Sequence, residues 1–393
     1  MTPEVPRDLP YFLGPEHAAL ADEVRQFREA QLASKLALPG GGDEGDVNAR
    51  GCEIALALGK AGLLRYVAPE AYGGALREVD VRSLCVIREG LSYASALADS
   101  MFALQGLGSY PITLSGTESQ KQRWLPRVVA GTAIAAFALT EPNAGSDVSS
   151  METRADRRAD RWTITGRKTF ITNAGIADVY SVFALTQPDL GSKGMSAFAI
   201  PADAKGLVVE RQIELLAPHP MGEVRFDACE ATSENLLGWE EQGFKTAMAT
   251  LDVFRPTVGA SALGLARRAL DEAVSYAKKR VQFGRPLASM QATQFALAEM
   301  ATELEAARLL VYRAAWEKDH GAGRVTSASS MAKLAATETA QRVVDRALQI
   351  HGAVGLVKGH IMERLYRDVR ALRIYEGTSE IQKTIIARDL LQP

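Results

Sequence analysis

Two changes of residue pattern along the chain constrain its fold more than any other feature. From about Pro15 to Ala130 the sequence is rich in Ala, Leu, Glu, Lys and Arg with little β-branching, which predicts several helices. Within it, Thr117 to Leu125 reads as a short helix, with Thr117 as N-cap and Gln120 completing a capping box. Gly40 to Gly42 and Tyr72 to Gly74 read as breaks. From about Ile134 to Leu237 the pattern becomes one of short β-type runs: Trp162–Thr165, Val179–Leu185, Met195–Ile200, Leu207–Ile213 and Glu223–Phe226. Strands follow strands with no helix between them, which favours an antiparallel sheet or barrel over βαβ units. From about Gly243 the helical pattern returns. Leu297, Met300, Leu304, Ala307 and Val311 are spaced 3, 4, 3 and 4, the buried stripe of a bundle helix. Val343–Leu348 and Ile381–Leu391 read as further helices. The expected fold is mainly α with a central antiparallel β-domain. Its expected domains are a helical one over 1–132, a β-domain over 133–240 and a C-terminal helical bundle over 241–393.

Composition excludes several function classes. Lys and Arg total 45 against 47 Asp and Glu, a net charge of −2, so no dominant polybasic surface for nucleic acid is expected. Hydrophobic residues make up 47% of the chain, which speaks against disorder. The longest apolar stretch, near Val128 to Leu139, falls short of the ~20 residues a membrane span needs. Residues Met1 to Asp8 carry acids and prolines, unlike a signal or transit peptide. Cys52, Cys85 and Cys229 are far apart, with no CxxC, which argues against a disulfide framework and for a reducing compartment. A bacterial-type cytoplasmic location is expected, with a mitochondrial matrix as the alternative. The five histidines form no HExxH or other ligand cluster, so no metal is expected. GxGxxG, GxxxxGK[ST] and GxSxG are absent as well.

Four segments carry candidate chemistry, and each has a plain reading beside a functional one. Phe137 to Ser149 is an apolar run ending in a turn dense in hydroxyls; it reads as a loop presenting N–H groups to a polar ligand, or as a simple turn. Gly166 to Gly175 closes a β-run on Phe170, Thr172 and Asn173. An aromatic two residues before a hydroxyl suits a planar ring with a hydrogen-bonding edge, but Phe170 reads equally as core. Lys279 to Pro286 is a cationic helix end with a Gly-Arg-Pro stop, and such arginines are usually solvated. Arg373 to Gln382 places Glu376 just before a helix capped by Thr378. A glutamate there is either a solvated loop residue or a carboxylate held in an apolar wall with the raised pKa a general base needs.

Taken together, Thr140-Glu141-Pro142-x-Ala144-Gly145-Ser146-Asp147, Ile171-Thr172-Asn173, Arg280-x-x-Phe283-Gly284 and Tyr375-Glu376-Gly377-Thr378-Ser379 make the chain resemble the acyl-CoA dehydrogenase family of FAD-dependent flavoproteins. The resemblance spans about Pro15 to Leu391. It implies a helical domain, a β-barrel-like domain and a C-terminal four-helix bundle. It implies α,β-dehydrogenation of an acyl-CoA thioester, with Glu376 removing the α proton and flavin N5 taking the β hydride. Arg255 resembles the arginine that supports the base. Some relatives carry the base one residue before that arginine, where this chain has Phe254. Ser146, Asp252, Arg255, Tyr375 and Gly377 match substrate-contacting positions. Phe137, Leu139, Thr140, Phe170 and Thr172 match the flavin-contacting strands. Arg280, Phe283, Gln291, Gln349 and Gly352 match positions that reach the FAD of a neighbouring subunit, and Thr378 and Glu380 lie near its adenosine diphosphate in relatives. The resemblance further implies a homotetramer built as a dimer of dimers, and an electron-transferring flavoprotein as acceptor.

The chain departs from the family pattern in several places, among them Phe170, where a Trp is common, and Ala231-Thr232, where Val-Pro is usual. Ala353 stands where a second glycine is usual, and Leu215 to Gly222 has lost an Arg, a Ser and a Thr and gained Pro218 and Pro220 near the substrate mouth. The acyl group is therefore left open. An acyl-CoA oxidase-type enzyme and a non-catalytic FAD or acyl-CoA binding protein are the alternative functions.

Overall fold

The computed structural model describes residues 9–32, 46–321 and 325–391; the break expected at Gly40 to Gly42 lies outside them. The helices and strands in chain order are α1 (Pro15–Phe27), α2 (Val47–Lys60), α3 (Val81–Ala94), α4 (Ala96–Ser115), α5 (Glu118–Val129), β1 (Ala135–Ala138), β2 (Arg154–Arg158), β3 (Arg161–Thr172), β4 (Val179–Leu185), β5 (Met195–Pro201), β6 (Leu207–Gln212), β7 (Met221–Thr232), β8 (Leu236–Leu237), α6 (Gly243–Lys279), β9 (Val281–Gln282), β10 (Arg285–Pro286), α7 (Gln291–Asp319), α8 (Thr326–His351), α9 (Ile361–Ala371) and α10 (Ser379–Leu390). They pack as two compact units. One contains α1, residues 81–99 and the chain from Asp252 onward; the other contains residues 46–80 and 100–251. The residues expected as one N-terminal domain are thus shared between the units.

In the first unit, α3 is buried from Ser83 through Ser92, so it has no solvent face. Its acid is answered inside: Glu89 accepts hydrogen bonds from Arg308 Nη2 (2.7 Å) and Tyr312 Oη (2.8 Å) of α7. These contacts explain why 81–99 belongs with the C-terminal helices. The predicted stripe of α7 is present, with Met300, Leu304, Ala307 and Val311 buried and Leu297 half-buried. Helix α8 packs against α7, α9 and α10 through small side chains such as Ala332, Ala336 and Ala340, all fully buried.

In the second unit, Thr117 and Gln120 form the expected capping box at the start of α5. The helix runs on to Val129, past Pro126, because Trp124, Leu125, Val128 and Val129 bury one continuous face. The sheet has the order β6-β7-β3-β2-β4-β5-β8, with β1 beside β4. Strand β4 is buried at every position, as a central strand should be. Most pairings are antiparallel as expected, but β1 runs parallel to β4, and β2 meets β4 in parallel at one residue pair. A whole hairpin, β2–β3, separates β1 from β4 in sequence, which gives the length a parallel connection needs. Among the described residues no helix is long and apolar enough to cross a membrane.

Candidate functional site

In the first unit, Glu376 sits in the link between α9 and α10 at φ 52°, followed by Gly377 at φ 93°. Left-handed backbone is uncommon for a glutamate and needs support from its surroundings. That support is visible. Gln382 Nε2 donates to Gly377 O (2.9 Å) and Glu376 O (3.3 Å), and Lys333 Nζ donates to Gly377 O (2.6 Å). Thr378 caps α10 by accepting from Ile381 N–H (3.3 Å), as its sequence position predicts. Glu338 of α8 accepts from Arg373 Nε (2.9 Å) and Ser379 Oγ (2.6 Å), which fixes both ends of the link to one helix.

Gly377 suits this position because side-chain-bearing residues rarely adopt its φ of 93°, and a Cβ there would also push on Gln382 Nε2, 2.6 Å away, one of the donors that hold the turn. Gly377→Ala should cost about 1–3 kcal/mol of stability and displace Glu376, lowering both the thermal midpoint and the rate of flavin bleaching by acyl-CoA.

The Glu376 carboxyl is shielded, and its Oε2 is buried without a hydrogen-bond partner among the described residues. Burial pushes its pKa up, while Arg88, Lys333 and Arg255 pull it down and Asp99 adds to the rise. Each cation comes from a different helix. Arg88 of α3, 2% exposed, holds Asp99 of α4 in a two-point ion pair (2.8 and 2.9 Å) and donates to Thr257 Oγ1 (2.9 Å). Ser261 Oγ donates to the same Asp99 (2.7 Å). Burial works against the Arg88 charge, but Asp99 outweighs it and keeps the guanidinium protonated. Arg255 of α6 donates to Asp252 Oδ1 (3.1 Å); burial lowers its pKa, with Asp252 and Glu376 opposing. Its Nε is buried without a partner among the described residues. Asp252 also accepts from Thr326 Oγ1 (2.8 Å), so it holds Arg255 and the start of α8. Burial raises the Tyr375 hydroxyl, which lies beside Arg88. Phe254 is buried and cannot ionise, so the other position for a base is empty of one.

The remaining candidates of this unit lie on its surface. Phe283 and Gly284, both at positive φ (51° and 76°), form the two-residue turn of the β9–β10 hairpin, and Phe283 is 94% exposed. Arg280 precedes the hairpin and Gln291 opens α7; both are exposed. Gln349 and Gly352 flank His351, whose ring stacks on Tyr276 at 4.5 Å. That stack makes the ends of α6 and α8 adjacent, and Arg280, whose N–H donates to Tyr276 O (2.8 Å), lies at the same end of α6. Glu380 is exposed in the first turn of α10.

In the second unit, β1 carries Phe137, whose ring packs on Phe183 at 4.9 Å, and leads into Leu139 and Thr140. The N–H of Thr169 donates to Thr140 O (3.0 Å), which brings β3 alongside. Between Lys168 and Ile171 the β3–β7 register shifts. Phe170 takes φ 53° in that irregularity and is turned outward, 56% exposed, so it is not core. Thr172 follows at the strand end, and Asn173 (φ 69°) accepts no fewer constraints: its side chain donates to Ala135 O (2.9 Å) and its N–H to Pro220 O (2.9 Å). The altered segment Leu215 to Gly222 therefore abuts this turn. Within it, His219 Nδ1 lies 2.9 Å from Ala217 O, and burial lowers its pKa. Ser146 is exposed in the loop after Glu141.

Beneath these residues lies a buried ion pair. Lys168 Nζ donates to Glu141 Oε1 (2.7 Å) and Leu139 O (3.1 Å), and Glu141 also accepts the N–H groups of Glu152 (2.6 Å) and Thr153 (3.0 Å). Burial pulls Lys168 down to about 8, partly offset by Glu141. Burial opposes the Glu141 charge, but Lys168 and the donors hold its pKa below the ordinary value.

This arrangement fits a flavin. An outward aromatic, Phe170, stands two residues before the half-exposed Thr172 hydroxyl. The Thr140 and Thr172 hydroxyls make no hydrogen bond among the described residues, leaving both available to a ring edge. No cluster of three metal-ligating side chains occurs among the described residues.

The sequence singles out Glu376 and Arg255 as candidates but not Arg88, Asp99 and Lys333, which also act on the Glu376 carboxyl. The available signal was a charge inside an apolar helix: Arg88 in Val86-Ile87-Arg88, and Lys333 in Met331-Ala332-Lys333-Leu334.

Comparison with known proteins gives matches along most of the chain. Family models match residues 14–132 (acyl-CoA dehydrogenase, N-terminal domain), 136–229 (middle domain) and 241–391 (C-terminal domain). An acyl-CoA dehydrogenase of Bacillus subtilis is 41% identical, covering 96% of this chain and 98% of its own. A 3-(aryl)acrylate reductase of Clostridium sporogenes is 40% identical, covering 97% and 100%. The structure of butyryl-CoA dehydrogenase from Megasphaera elsdenii superposes with a TM-score of 0.89 at 36% identity, covering 97% of this chain and 99% of that one.

Proposed function

This chain belongs to the acyl-CoA dehydrogenase family, oxidoreductases acting on a CH–CH bond, and we propose that Glu376 is its catalytic base. One observation carries the reading: a shielded carboxyl with an unpartnered Oε2, set in a supported left-handed turn and faced by three cations. A raised pKa suits a group that must accept a proton from carbon, and the cations keep its ionised form within reach. FAD would be held by Phe137, Leu139, Thr140, Phe170 and Thr172, and would supply the hydride acceptor. In this reading Arg255 steadies the carboxylate, and the Glu376 N–H donates to the thioester oxygen as negative charge develops there. Arg280, Phe283, Gln291, Gln349 and Gly352 are exposed and form the surface through which a second copy would complete the cofactor site of a homotetramer. An electron-transferring flavoprotein is the acceptor in this reading.

The test is an anaerobic titration of the purified yellow protein with straight, branched and alicyclic acyl-CoAs. Loss of flavin absorbance with at least one, and recovery on adding an electron-transferring flavoprotein, is expected; no bleaching across the panel would refute dehydrogenation.

The similarity to a 3-(aryl)acrylate reductase supports a second reading, in which the same site runs in reverse and Glu376 delivers the α proton. Chemically reduced protein reoxidised by an aryl acrylate or its CoA ester faster than by oxygen would favour it.

A further inference from the structure

Two of the three cations facing Glu376 have carboxylates of their own: Arg88 is paired with Asp99 and Arg255 with Asp252. Lys333 is different. It is fully buried on α8, and among the described residues it forms no ion pair; its ammonium donates to the Gly377 carbonyl. A buried ammonium without a counter-charge is costly, and such a group is retained only where something answers it. Resting on the reading of Glu376 as base, we propose that Lys333 positions and tunes it: its ammonium pins the Glu376–Gly377 turn through the Gly377 carbonyl and is the counter-charge of the ionised carboxylate.

Burial draws Lys333 down to about 8, and the Glu376 charge is the foremost influence opposing that, ahead of Glu338 and Glu380; Arg255 lowers it further. Acting on Glu376 itself are Arg88 from α3, Asp99 from α4, Arg255 from α6 and Lys333 from α8.

A nearby cation favours the ionised carboxylate and lowers its pKa. Without it, Glu376 ionises at higher pH, so the acid limb of the reaction moves upward. The experiment compares Lys333→Met, Lys333→Gln and Lys333→Arg with wild type and Glu376→Gln. The probe is whichever of butyryl-CoA, isobutyryl-CoA and octanoyl-CoA bleaches the wild-type flavin fastest, followed anaerobically against pH. Exchange of the α hydrogens of the same probe into deuterated water, read by NMR, gives a second profile. Lys333→Met and Lys333→Gln should move both acid limbs up by about one unit or more, with FAD content and thermal midpoint close to wild type. Lys333→Arg, which keeps the charge, should restore the limb most of the way. Folded, FAD-loaded Met and Gln variants with the wild-type limb would overturn the proposal; if Lys333→Met does not fold, the Gln and Arg variants decide it. Failure of the base assignment shows separately, as wild-type bleaching by Glu376→Gln.

Discussion

Glu141→Ala should destabilise the protein by about 3–5 kcal/mol, the cost of breaking a buried ion pair by removing one partner. Glu141 is 4% exposed and Lys168 fully buried. The alanine leaves the ammonium with only Leu139 O, and strands the N–H groups of Glu152 and Thr153. Lys168→Met should cost less, because Glu141 keeps those two donors. The double variant should cost less than the sum of the two, since a pair removed together leaves no lone charge. The pair anchors Leu139 and, through the neighbouring Thr169 N–H, Thr140. Glu141→Ala should therefore also release FAD at a lower temperature than wild type. Thermal unfolding followed by circular dichroism, with flavin fluorescence as a second probe, checks both effects; an unchanged midpoint would contradict the energetic account of this pair.

How far the sequence foretells this molecule depends on how local each feature is. The Thr117–Gln120 capping box and the Thr378 cap involve residues three apart, and both were legible. So was the stripe of α7, because helical periodicity is written in one segment. The outward turn of Phe170 was not. It arises from a register shift between β3 and β7, which depends on a partner strand some fifty residues away in sequence. The surroundings of Glu376 were hidden for the same reason. Arg88, Asp99, Arg255 and Lys333 come from four helices, and only their packing makes them neighbours of one carboxylate. The motif Tyr375-Glu376-Gly377-Thr378-Ser379 marks the candidate base; the charges around it carry no motif. The membership of 81–99 in the first unit was equally invisible, because the Glu89–Arg308 pair joins residues 219 apart.

The second large effect concerns Glu376 itself. Glu376→Gln keeps the side chain's shape but removes its ability to accept a proton, and loss of a positioned base costs on the order of 10²–10⁴-fold in rate. The fold should tolerate the change. Arg88 and Arg255 keep Asp99 and Asp252, and the turn keeps its ties to Gln382 and Lys333. Lys333 loses its counter-charge and should give up its proton more readily, which relieves the buried charge. In wild type the rate should rise with pH as Glu376 ionises, through a pKa above the ordinary carboxylate value. In the glutamine variant that limb should disappear along with the activity.

The most direct measurement is anaerobic stopped-flow absorbance of Glu376→Gln mixed with an acyl-CoA that bleaches the wild type. A variant that remains yellow, retains FAD and binds the acyl-CoA without bleaching is the predicted result. Bleaching at the wild-type rate would contradict the assignment of Glu376 as the base.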